Sequence, residues 1–320
     1  MFDWMTILTN LFHILVFPGL LFVVVIGLLL AGIDRKVVAH MQKRIGPPII
    51  QPFYDFFKLM GKETIVPAAA NRAAYLSAPV LGFVSLVVMM LFIPVFGFSV
   101  FSGRADLIVI LYLMTIPAVA LIIGGSSSGS PFAGIGISRE MVAMMSYELP
   151  LILVLLSIAK MVGGDHLCFS LEEIVAWQQA NGCVLWNWSM IPAAIAMLLV
   201  IPAEVGAHPF DVAEAETEIC EGPLIEYSGA PLAMFKLNTA MKMFIMTALF
   251  CNLFLGSIST GIVALDALIL VAICVVVTIV CMTLPHAVCA RLKIEHLFKF
   301  YWTFVAGLAV ISLVLAWIGL

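Results

Sequence analysis

The sequence predicts an all-α integral membrane protein, and its composition and apolar runs are the observations that lead to this prediction. Of the 320 residues, 63% are hydrophobic and 11% are charged, and the mean hydropathy is +1.17. Soluble domains carry roughly 25% charged residues. The alternation over about 10 residues that marks a membrane-spanning strand is missing, so a helix bundle is the architecture that satisfies backbone hydrogen bonds in lipid.

Eight apolar runs are long enough to cross a bilayer as helices, which requires about 20 mostly apolar residues each. They cover residues 11–33, 78–98, 107–124, 141–162, 188–205, 232–254, 262–284 and 302–319. The N-terminal run is too long for a signal-peptide core and no cleavage site follows it, so we expect a retained first span. Residues 1–320 are interpreted as a single membrane domain.

Basic residues in the loops predict that the N-terminus lies outside the cell. In that orientation, eleven Lys and Arg residues fall in inside loops, whereas only Arg104 lies clearly in an outside loop. The inside loops are predicted at about 34–77, 125–140, 206–231 and 285–301. The Gly/Ser tract at 124–136 has no nucleotide-binding spacing and is expected to be flexible.

The first inside loop contains a basic part and an amphipathic part. The basic part, DRKVVAHMQKRIGPP, is followed by QPFYDFFKLMGKE, in which Phe53, Phe56, Phe57 and Met60 recur at helical spacing. This pattern predicts an amphipathic helix on the membrane surface. The basic residues favour either anchoring to anionic lipid headgroups or docking of a cytoplasmic partner.

An acidic segment, residues 208–229, has the sequence HPFDVAEAETEICEGPLIEYSG, with six carboxylates and no Lys or Arg. The spacing of Asp211 and Glu214, with a stop at Gly222-Pro223, predicts a short helix over 212–221. On that helix four acids fall within about 80° of one another, and Glu216 points away. The four are Asp211, Glu214, Glu218 and Glu221. A solvated acidic face is the alternative interpretation.

Several ionisable residues fall within or beside predicted spans. They are Glu140, Glu148, Glu204, Lys236 and Lys242. A charge at the centre of a lipid-facing helix costs at least about 2.5 to 3.5 kcal/mol, so these groups should face the bundle interior. Together with the acidic segment they indicate a proton relay or a water-filled polar path. Ion pairs that only fix helix packing remain an alternative.

No motif for a metal or a cofactor was found in the sequence, and we expect none to be bound by this chain. The seven cysteines include no C-x-x-C pair, and no histidines have ligand spacing. Cys168 and Cys183 share one predicted loop, and a disulfide between them is left open. Any redox chemistry is therefore expected to belong to partner subunits.

Four motifs together resemble the heel subunit family of respiratory complex I and of membrane-bound [NiFe]-hydrogenases. They are the two parts of the first inside loop, SREMVAMMSYELPL, and PAEVGAHPFDVAEAETEICEGPLIEYSG. The resemblance implies eight spans and a position between a soluble redox arm and antiporter-like membrane subunits. It implies an acidic loop and buried path formed by Glu148, Glu204, Asp211, Glu214, Glu216, Glu218 and Glu226. It implies an arm junction formed by Arg35, Lys36, Gln42, Arg44, Gly46 and Pro47.

Two departures from the complex I pattern make the chain more similar to the hydrogenase branch. His208 stands where complex I usually has a basic residue, and Glu221 is added in EGPLIEYSG. The resemblance then implies that hydrogenase-like large and small subunits are partners and carry [4Fe-4S] clusters and a [NiFe] centre. It implies no nucleic acid as a partner. It also implies a location in the cell membrane of a bacterium or archaeon. Proton or sodium transport is left open. Alternatives are a quinone-binding subunit of a complex I-type dehydrogenase, a stand-alone cation or proton transporter, and a passive anchor.

Overall fold

The computed structural model describes residues 4–94, 106–164, 166–256, 258 and 260–319. Within these ranges the secondary structure is helical, apart from one isolated bridge between Asp106 and Ser170. Eight helical segments are long and apolar enough to cross a membrane. The prediction of an all-α protein with eight spans is therefore confirmed. Residues 95–98 of the predicted second span, and Arg104, lie outside the described residues.

The helices follow the order of the predicted spans, with shorter helices between them. In the first half they are α1 (Trp4–Leu15), α2 (Leu20–Met41), α3 (Gln51–Met60), α4 (Arg72–Phe92), α5 (Leu107–Ser128) and α6 (Pro131–Gly163). In the second half they are α7 (Leu171–Asn181), α8 (Ile191–Val205), α9 (Glu216–Ile219), α10 (Gly229–Leu255), α11 (Val263–Thr278), α12 (Leu284–Val288), α13 (Ile294–Lys299) and α14 (Ala306–Ile318). The π-helical turns Ile279–Thr283 and Phe300–Val305 join α11 to α12 and α13 to α14, so each pair forms one span.

Helix α10 forms the centre of the bundle. Its membrane segment is almost entirely buried, and it packs against α2, α4, α8 and α11. The approach to α2 is close, because a Cβ at Gly27 would lie 2.7 Å from the carbonyl oxygen of Ala240. Polar residues on a helix surrounded on all sides need partners on its neighbours. This requirement applies to Asn238 and Lys242, which are both buried.

The loops that contain most of the charged residues meet at one end of the bundle, which we call the charged end. The backbone N–H of Ile65, in the loop after α3, donates to Ser228 Oγ at 3.0 Å. The backbone N–H of Leu292, between α12 and α13, donates to the carbonyl oxygen of Pro209 at 3.1 Å. The acidic segment therefore connects the first and last loops of this end.

The amphipathic helix predicted in the first loop is present as α3. It packs against α2 and α10, and Phe57 and Tyr54 on its outer face remain 68% and 62% exposed. Aromatic side chains exposed beside a membrane-spanning bundle are typical of a helix that lies in the membrane interface. This part of the fold prediction is confirmed.

The first span extends beyond the predicted run 11–33 at both ends, because the apolar helical segment covers Leu8–Met41. Helix α2 continues to Met41, so the basic residues after Asp34 extend the helix and do not begin a loop. The helix is instead interrupted between α1 and α2, at Pro18-Gly19. Proline lacks a backbone donor, and a Cβ on Gly19 would lie 2.0 Å from the Ile14 carbonyl oxygen. Basic residues such as Lys and Arg are good helix formers, which explains the extension.

The tract at 124–136 is not the flexible loop that its composition predicts. Helix α5 continues through Ser128, and α6 starts after only Gly129 and Ser130. The Ser128 hydroxyl donates to the carbonyl oxygen of Gly125 at 2.7 Å, which satisfies the side chain within the helix. Gly129 has a φ of 72°, so the turn itself requires the glycine.

The last predicted loop, 285–301, is also mostly helical. Helix α12 reaches Val288 and α13 begins at Ile294, which leaves a short connection. The prediction missed these helices because hydropathy locates membrane-buried residues, whereas helices commonly extend beyond the apolar core.

The end of the bundle opposite the charged end carries α7 and two of the cysteines. Cys168 and Cys183, which the sequence left as a candidate disulfide, are not joined to each other. Cys168 Sγ instead lies 3.1 Å from Glu173 Oε2. Burial, with the nearby Glu173 carboxylate, raises the pKa of Cys168 to about 11, which makes this thiol a poor nucleophile.

Candidate ion path at the charged end

The acidic segment does not form the helix predicted over 212–221. Only Glu216–Ile219 is α-helical, and the backbone then turns left-handed at Cys220 and Glu221, with φ values of 51° and 66°. The predicted helix is therefore wrong beyond this single turn. The prediction of four carboxylates on one helical face, formed by Asp211, Glu214, Glu218 and Glu221, is wrong with it.

Two acids of the segment bind arginines from other elements. Arg291 Nε and Nη2 donate to Asp211 Oδ1 and Oδ2 at 2.9 and 2.6 Å. Arg139 Nη1, on α6, donates to Glu218 Oε2 at 2.5 Å. Both oxygens of Asp211 thus accept from Arg291 in a bidentate charge-assisted pair and do not cap a helix.

Stacked tyrosines and a glycine anchor the second half of the segment. The rings of Tyr75 and Tyr227 are 4.1 Å apart and almost parallel, at 2°. The Tyr75 hydroxyl donates to the carbonyl oxygen of Glu226 at 2.6 Å. On α6, a Cβ at Gly136 would lie 2.5 Å from Pro223 Cδ, so the segment rests directly on this helix.

A buried ion pair lies below the segment, between α8 and α10. Lys242 Nζ is 2.7 Å from Glu204 Oε1, and the two side chains are 8% and 3% exposed. At a rise of about 1.5 Å per residue, Lys242 lies roughly 20 Å along α10 from its start. Two charged side chains can be accommodated this far inside the bundle because they pair with each other.

A small cavity adjoins this pair, and we call it the deep cavity. Its volume is about 60 Å³, and its polar lining consists mainly of Glu140, Glu204, Asp211, Glu214 and Lys242. A space of this size holds a few water molecules. Carboxylates around a few confined waters are suited to passing protons between them.

A second space, the middle cavity, lies on the other side of Glu214. Its volume is about 280 Å³, and its charged lining consists of Asp34, Arg35, Glu214, Glu221 and Lys236. Glu214 lines both the deep and the middle cavities. Val205 and Thr239 also line both cavities, so Glu214 is the one ionisable residue that the two linings share.

The surroundings of Glu214 bring the pKa of its carboxyl group close to neutral pH. Burial, together with the neighbouring acids Glu140, Asp211 and Glu221, raises the pKa of Glu214 to about 7, whereas Lys236 opposes them. A carboxyl group with a pKa near the operating pH exchanges protons most readily in both directions. Glu214 is thus the acid of the segment best suited to a relay.

A third space, the lateral cavity, opens between α2, α3 and α10. Its volume is about 320 Å³, and it shares Arg35 and Lys236 with the middle cavity. Arg35 Nη1 donates to Asp55 Oδ2 at 2.9 Å, and Gln51 Nε2 donates to Asp55 Oδ1 at 3.0 Å. These contacts attach the amphipathic helix to the wall of the charged spaces.

The remaining residues predicted for the path lie apart from these cavities. Glu148 is half-buried, eight residues beyond Glu140 on α6. Glu226 is exposed, and only its backbone contacts Tyr75. Neither residue lines any of the three cavities. The side chain of Glu216 lies outside the described part of the structure.

The residues predicted for the arm junction form an accessible surface. Arg35, Gln42, Arg44 and Gly46 are exposed, and Lys36 and Pro47 are half-buried. Arg44 donates to Gln42. Gly46 has a φ of 63°, and a Cβ there would lie 2.7 Å from Ala39 Cβ, so the chain reversal after α2 requires glycine.

Sequence reasoning missed the partners of the acids. Arg139 and Arg291 were used only for orientation, although an acidic segment without its own basic residues requires counter-charges from elsewhere. Asp34 and Asp55 were overlooked because each stands beside basic residues in a basic loop. Within the described ranges, no group of three or more His, Cys, Asp or Glu residues is placed to hold a metal ion.

Comparison with known proteins identifies the family. The family described as NADH dehydrogenase matches residues 13–317. The chain belongs to this family. The resemblance inferred from the four sequence motifs is thereby confirmed, as is a multi-pass membrane protein.

Relatives within the family come from two kinds of complex. Hydrogenase-4 component C of Escherichia coli is 38% identical over 231 residues, which cover 71% of this chain and 70% of that protein. A subunit of the NADH-quinone oxidoreductase of Bordetella pertussis is 34% identical over 239 residues, which cover 70% of this chain and 66% of that protein. The chain thus spans just under two thirds of the length of the Bordetella protein.

A solved structure supports the same assignment. A chain of the membrane-bound sulfane sulfur reductase, described as an archaeal respiratory membrane complex, matches with a TM-score of 0.85 and 31% sequence identity. The match covers 92% of this chain and 96% of that chain. The fold is therefore shared over nearly the whole length of both.

Proposed function

We propose that this chain is a membrane subunit of a membrane-bound [NiFe]-hydrogenase or a related ferredoxin-linked complex. In this function it connects a soluble redox arm to the translocation of protons or sodium ions. The observation that carries the proposal is the position of Glu214 between two cavities, the deeper of which contains the Glu204–Lys242 pair. The similarity to Hydrogenase-4 component C supports the hydrogenase partner set.

Electrostatics provide the coupling step. At an effective dielectric constant of about 20, two unit charges roughly 12 Å apart interact by about 1.4 kcal/mol, or about one pKa unit. Because the pKa of Glu214 is about 7, a shift of that size changes its proton occupancy substantially at neutral pH. A negative charge gained by a docked redox arm would therefore favour a proton on Glu214.

The buried pair determines where this proton can go. Lys242 balances one negative charge in the deep cavity through Glu204. Glu140, which lines the same cavity, is then the neighbouring carboxyl group that exchanges protons with Glu214. The charged residues continue the path from the surface toward the centre of the bundle.

This mechanism requires partner subunits that carry out the redox reaction and that continue the ion path. The exposed junction around Arg35 and Arg44 would receive hydrogenase-like large and small subunits, which carry the [4Fe-4S] clusters and the [NiFe] centre. Antiporter-like membrane subunits would continue the ion path. The chain itself would supply no redox centre, and the N-terminus would lie outside the cell, with the charged end in the cytoplasm.

Inside-out vesicles containing the complete complex test the proposal. Ions moved per electron are measured for wild type, for Glu140→Gln, and for Glu226→Gln as a matched control on an exposed residue. We expect Glu140→Gln to lower the ratio at least tenfold while electron transfer persists, and Glu226→Gln to leave it unchanged. Equal ratios in all three proteins would refute the proposed path.

A quinone-reducing complex is the second candidate, because of the lateral cavity and the similarity to a component of the Bordetella NADH-quinone oxidoreductase. The walls of this cavity combine apolar residues such as Leu28 and Phe56 with charged ones. Inhibition of the purified complex by quinone analogues would favour this candidate. Mass spectrometry of the co-purifying subunits separates the two, since a [NiFe] large subunit is expected only for the hydrogenase.

A further inference from the structure

A second group of titratable side chains lies at the charged end beside the middle cavity. The rings of His208 and His286 are stacked, with centroids 5.0 Å apart and planes inclined at 27°. His286 Nδ1 is 3.8 Å from Asp34 Oδ2. The other oxygen of Asp34 accepts a hydrogen bond from Thr283 Oγ1 at 2.7 Å. The side chains form a row that leads from α12 to α2.

The π-helical turn before α12 places this row. Thr283 is the last residue of the turn, and His286 follows on the next helical turn. A π-turn inserts one extra residue and so rotates the residues that follow, which is why such turns are frequent at functional sites. In this chain the rotation brings both side chains toward Asp34.

The row has one end in solvent and the other in a cavity. The side chain of His286 is 38% exposed, and that of Asp34 is 15% exposed. Asp34 lines the middle cavity together with Glu214. The row therefore links the surface of the protein to the cavity of the relay residue.

The surroundings of His208 favour its neutral form. Burial lowers the pKa of His208, the Asp211 carboxylate opposes this effect, and His286 and Arg291 add to it. His208 Nδ1 is buried and has no hydrogen-bond partner in the described part of the chain. A neutral His208 places no positive charge beside the stacked ring of His286, and Asp34 faces that ring from α2.

We propose that His286, backed by His208, and Asp34 form a proton-entry site that delivers protons from the aqueous surface of the charged end to the middle cavity and Glu214. The inference rests on the proposed function, because it concerns the supply of protons to that path. It adds an entrance that uses no carboxylate of the acidic segment before Glu214 and that is separate from the lateral cavity.

The proton crosses His286 and leaves the ring neutral at the end. Neutral His286 accepts a proton from water at one ring nitrogen and releases the proton on Nδ1 to Asp34 Oδ2, which leaves a neutral imidazole of the other tautomer. The distance of 3.8 Å exceeds a hydrogen bond, so a small rotation of the ring or one bridging water completes the contact. Asp34 then releases the proton to the middle cavity, and exchange with water, in which Nε2 loses a proton and Nδ1 gains one, restores the first tautomer.

A pH-jump experiment on the full complex in membranes tests the entry site. Infrared absorption follows the protonated carboxyl of Glu214, which is identified as the band lost in Glu214→Gln. We expect His286→Ala to slow the growth of this band at least tenfold, with an unchanged final amplitude, and added imidazole to restore the rate. The control His296→Ala changes an exposed histidine of the same end and should keep the wild-type rate.

The outcomes separate this inference from the proposed function. An unchanged rate in His286→Ala, with the Glu214 band present, would overturn the entry site alone. A slowed rate that imidazole does not restore would also overturn it, because the side chain would then have a structural role. If Glu214→Gln removed no titrating band near neutral pH, the proposed function would fail as well.

Discussion

At the scale of single residues, burial and neighbouring charges decide what each carboxyl group does. Asp211 and Glu218 are held in ion pairs with arginines. Burial and acidic neighbours raise the pKa of Glu214, which lines two cavities, to about 7. Two acids of this short segment therefore serve as ion-pair partners, and we propose that Glu214 is the acid that exchanges a proton.

The raised pKa of Glu214 predicts a pH dependence of stability. Because the folded pKa of about 7 exceeds the ordinary value of 4.5, the folded protein binds an extra proton between these values. Thermal stability of the complex should therefore fall as pH rises from about 5 to about 7, and level off above. Glu214→Gln should flatten this slope, whereas the exposed Glu226→Gln should keep it. A wild-type slope in Glu214→Gln would show that another group causes it.

The Glu204–Lys242 pair predicts a non-additive effect on stability. Lys242→Met leaves Glu204 charged, buried and unpaired, which costs about 3 to 5 kcal/mol in other proteins. The double variant Glu204→Gln, Lys242→Met removes both charges and should lose much less. Unfolding of the solubilised complex by heat measures both. A double variant that is less stable than Lys242→Met would contradict the pairing.

Residue-level prediction from sequence placed Glu204 and Lys242 within or beside membrane spans, because such positions follow from counting along an apolar run. Their mutual pairing did not follow, because it depends on the packing of α8 against α10. Likewise, the histidine row was not foreseen. His286 stands in a stretch where a surface role was the simpler interpretation, and its contacts with His208 and Asp34 are all tertiary.

At the scale of elements, hydropathy predicted the spans but misplaced their ends. Hydropathy locates the residues that are buried in lipid. Helices α2, α5 and α6 extend beyond those residues, because the residues that follow favour or tolerate a helical backbone. For the acidic segment the error was the opposite, because the predicted helix is longer than the observed one. Its sequence matches a capping pattern, but Arg139 and Arg291 from other elements bind its carboxylates, and the backbone turns left-handed at Cys220 and Glu221.

The support of the acidic segment by α6 predicts a contrast between two nearby glycines. A Cβ at Gly136 would collide with Pro223 at 2.5 Å, whereas a Cβ at Gly134 would meet nothing within 4 Å. Gly136→Ala should displace the segment and lower both thermal stability and ions moved per electron. Gly134→Ala should match or exceed wild type, since alanine favours helix by up to about 1 kcal/mol. Equal behaviour of the two variants would contradict the close contact.

At the scale of the whole molecule, the bundle has a charged end and an apolar membrane-spanning part. The first and last loops at the charged end contact the acidic segment, and α10 carries Lys242 to its partner Glu204 inside the bundle. Such an arrangement allows an event at the surface to be sensed in the membrane. The family match and the shared fold with a respiratory membrane complex agree with this architecture.

The orientation predicted from basic residues can be tested with cysteines. Cys220 and Cys289 are exposed at the charged end, whereas Cys183 lies near the opposite end and is half-buried. With one of these cysteines retained at a time, a membrane-impermeant maleimide should label Cys220 and Cys289 in inside-out vesicles and spare them in intact cells. The reverse pattern would place the N-terminus inside.

The central claim is that Glu214 changes its proton occupancy when an attached oxidoreductase is reduced. The most direct measurement is the infrared difference spectrum between the oxidised and reduced forms of the intact complex, recorded for wild type, Glu214→Gln and Glu226→Gln. We expect a carboxyl band that appears on reduction in wild type and in Glu226→Gln and is absent in Glu214→Gln. A spectrum of Glu214→Gln identical to that of wild type would contradict the account, because the residue would then hold the same proton in both redox states.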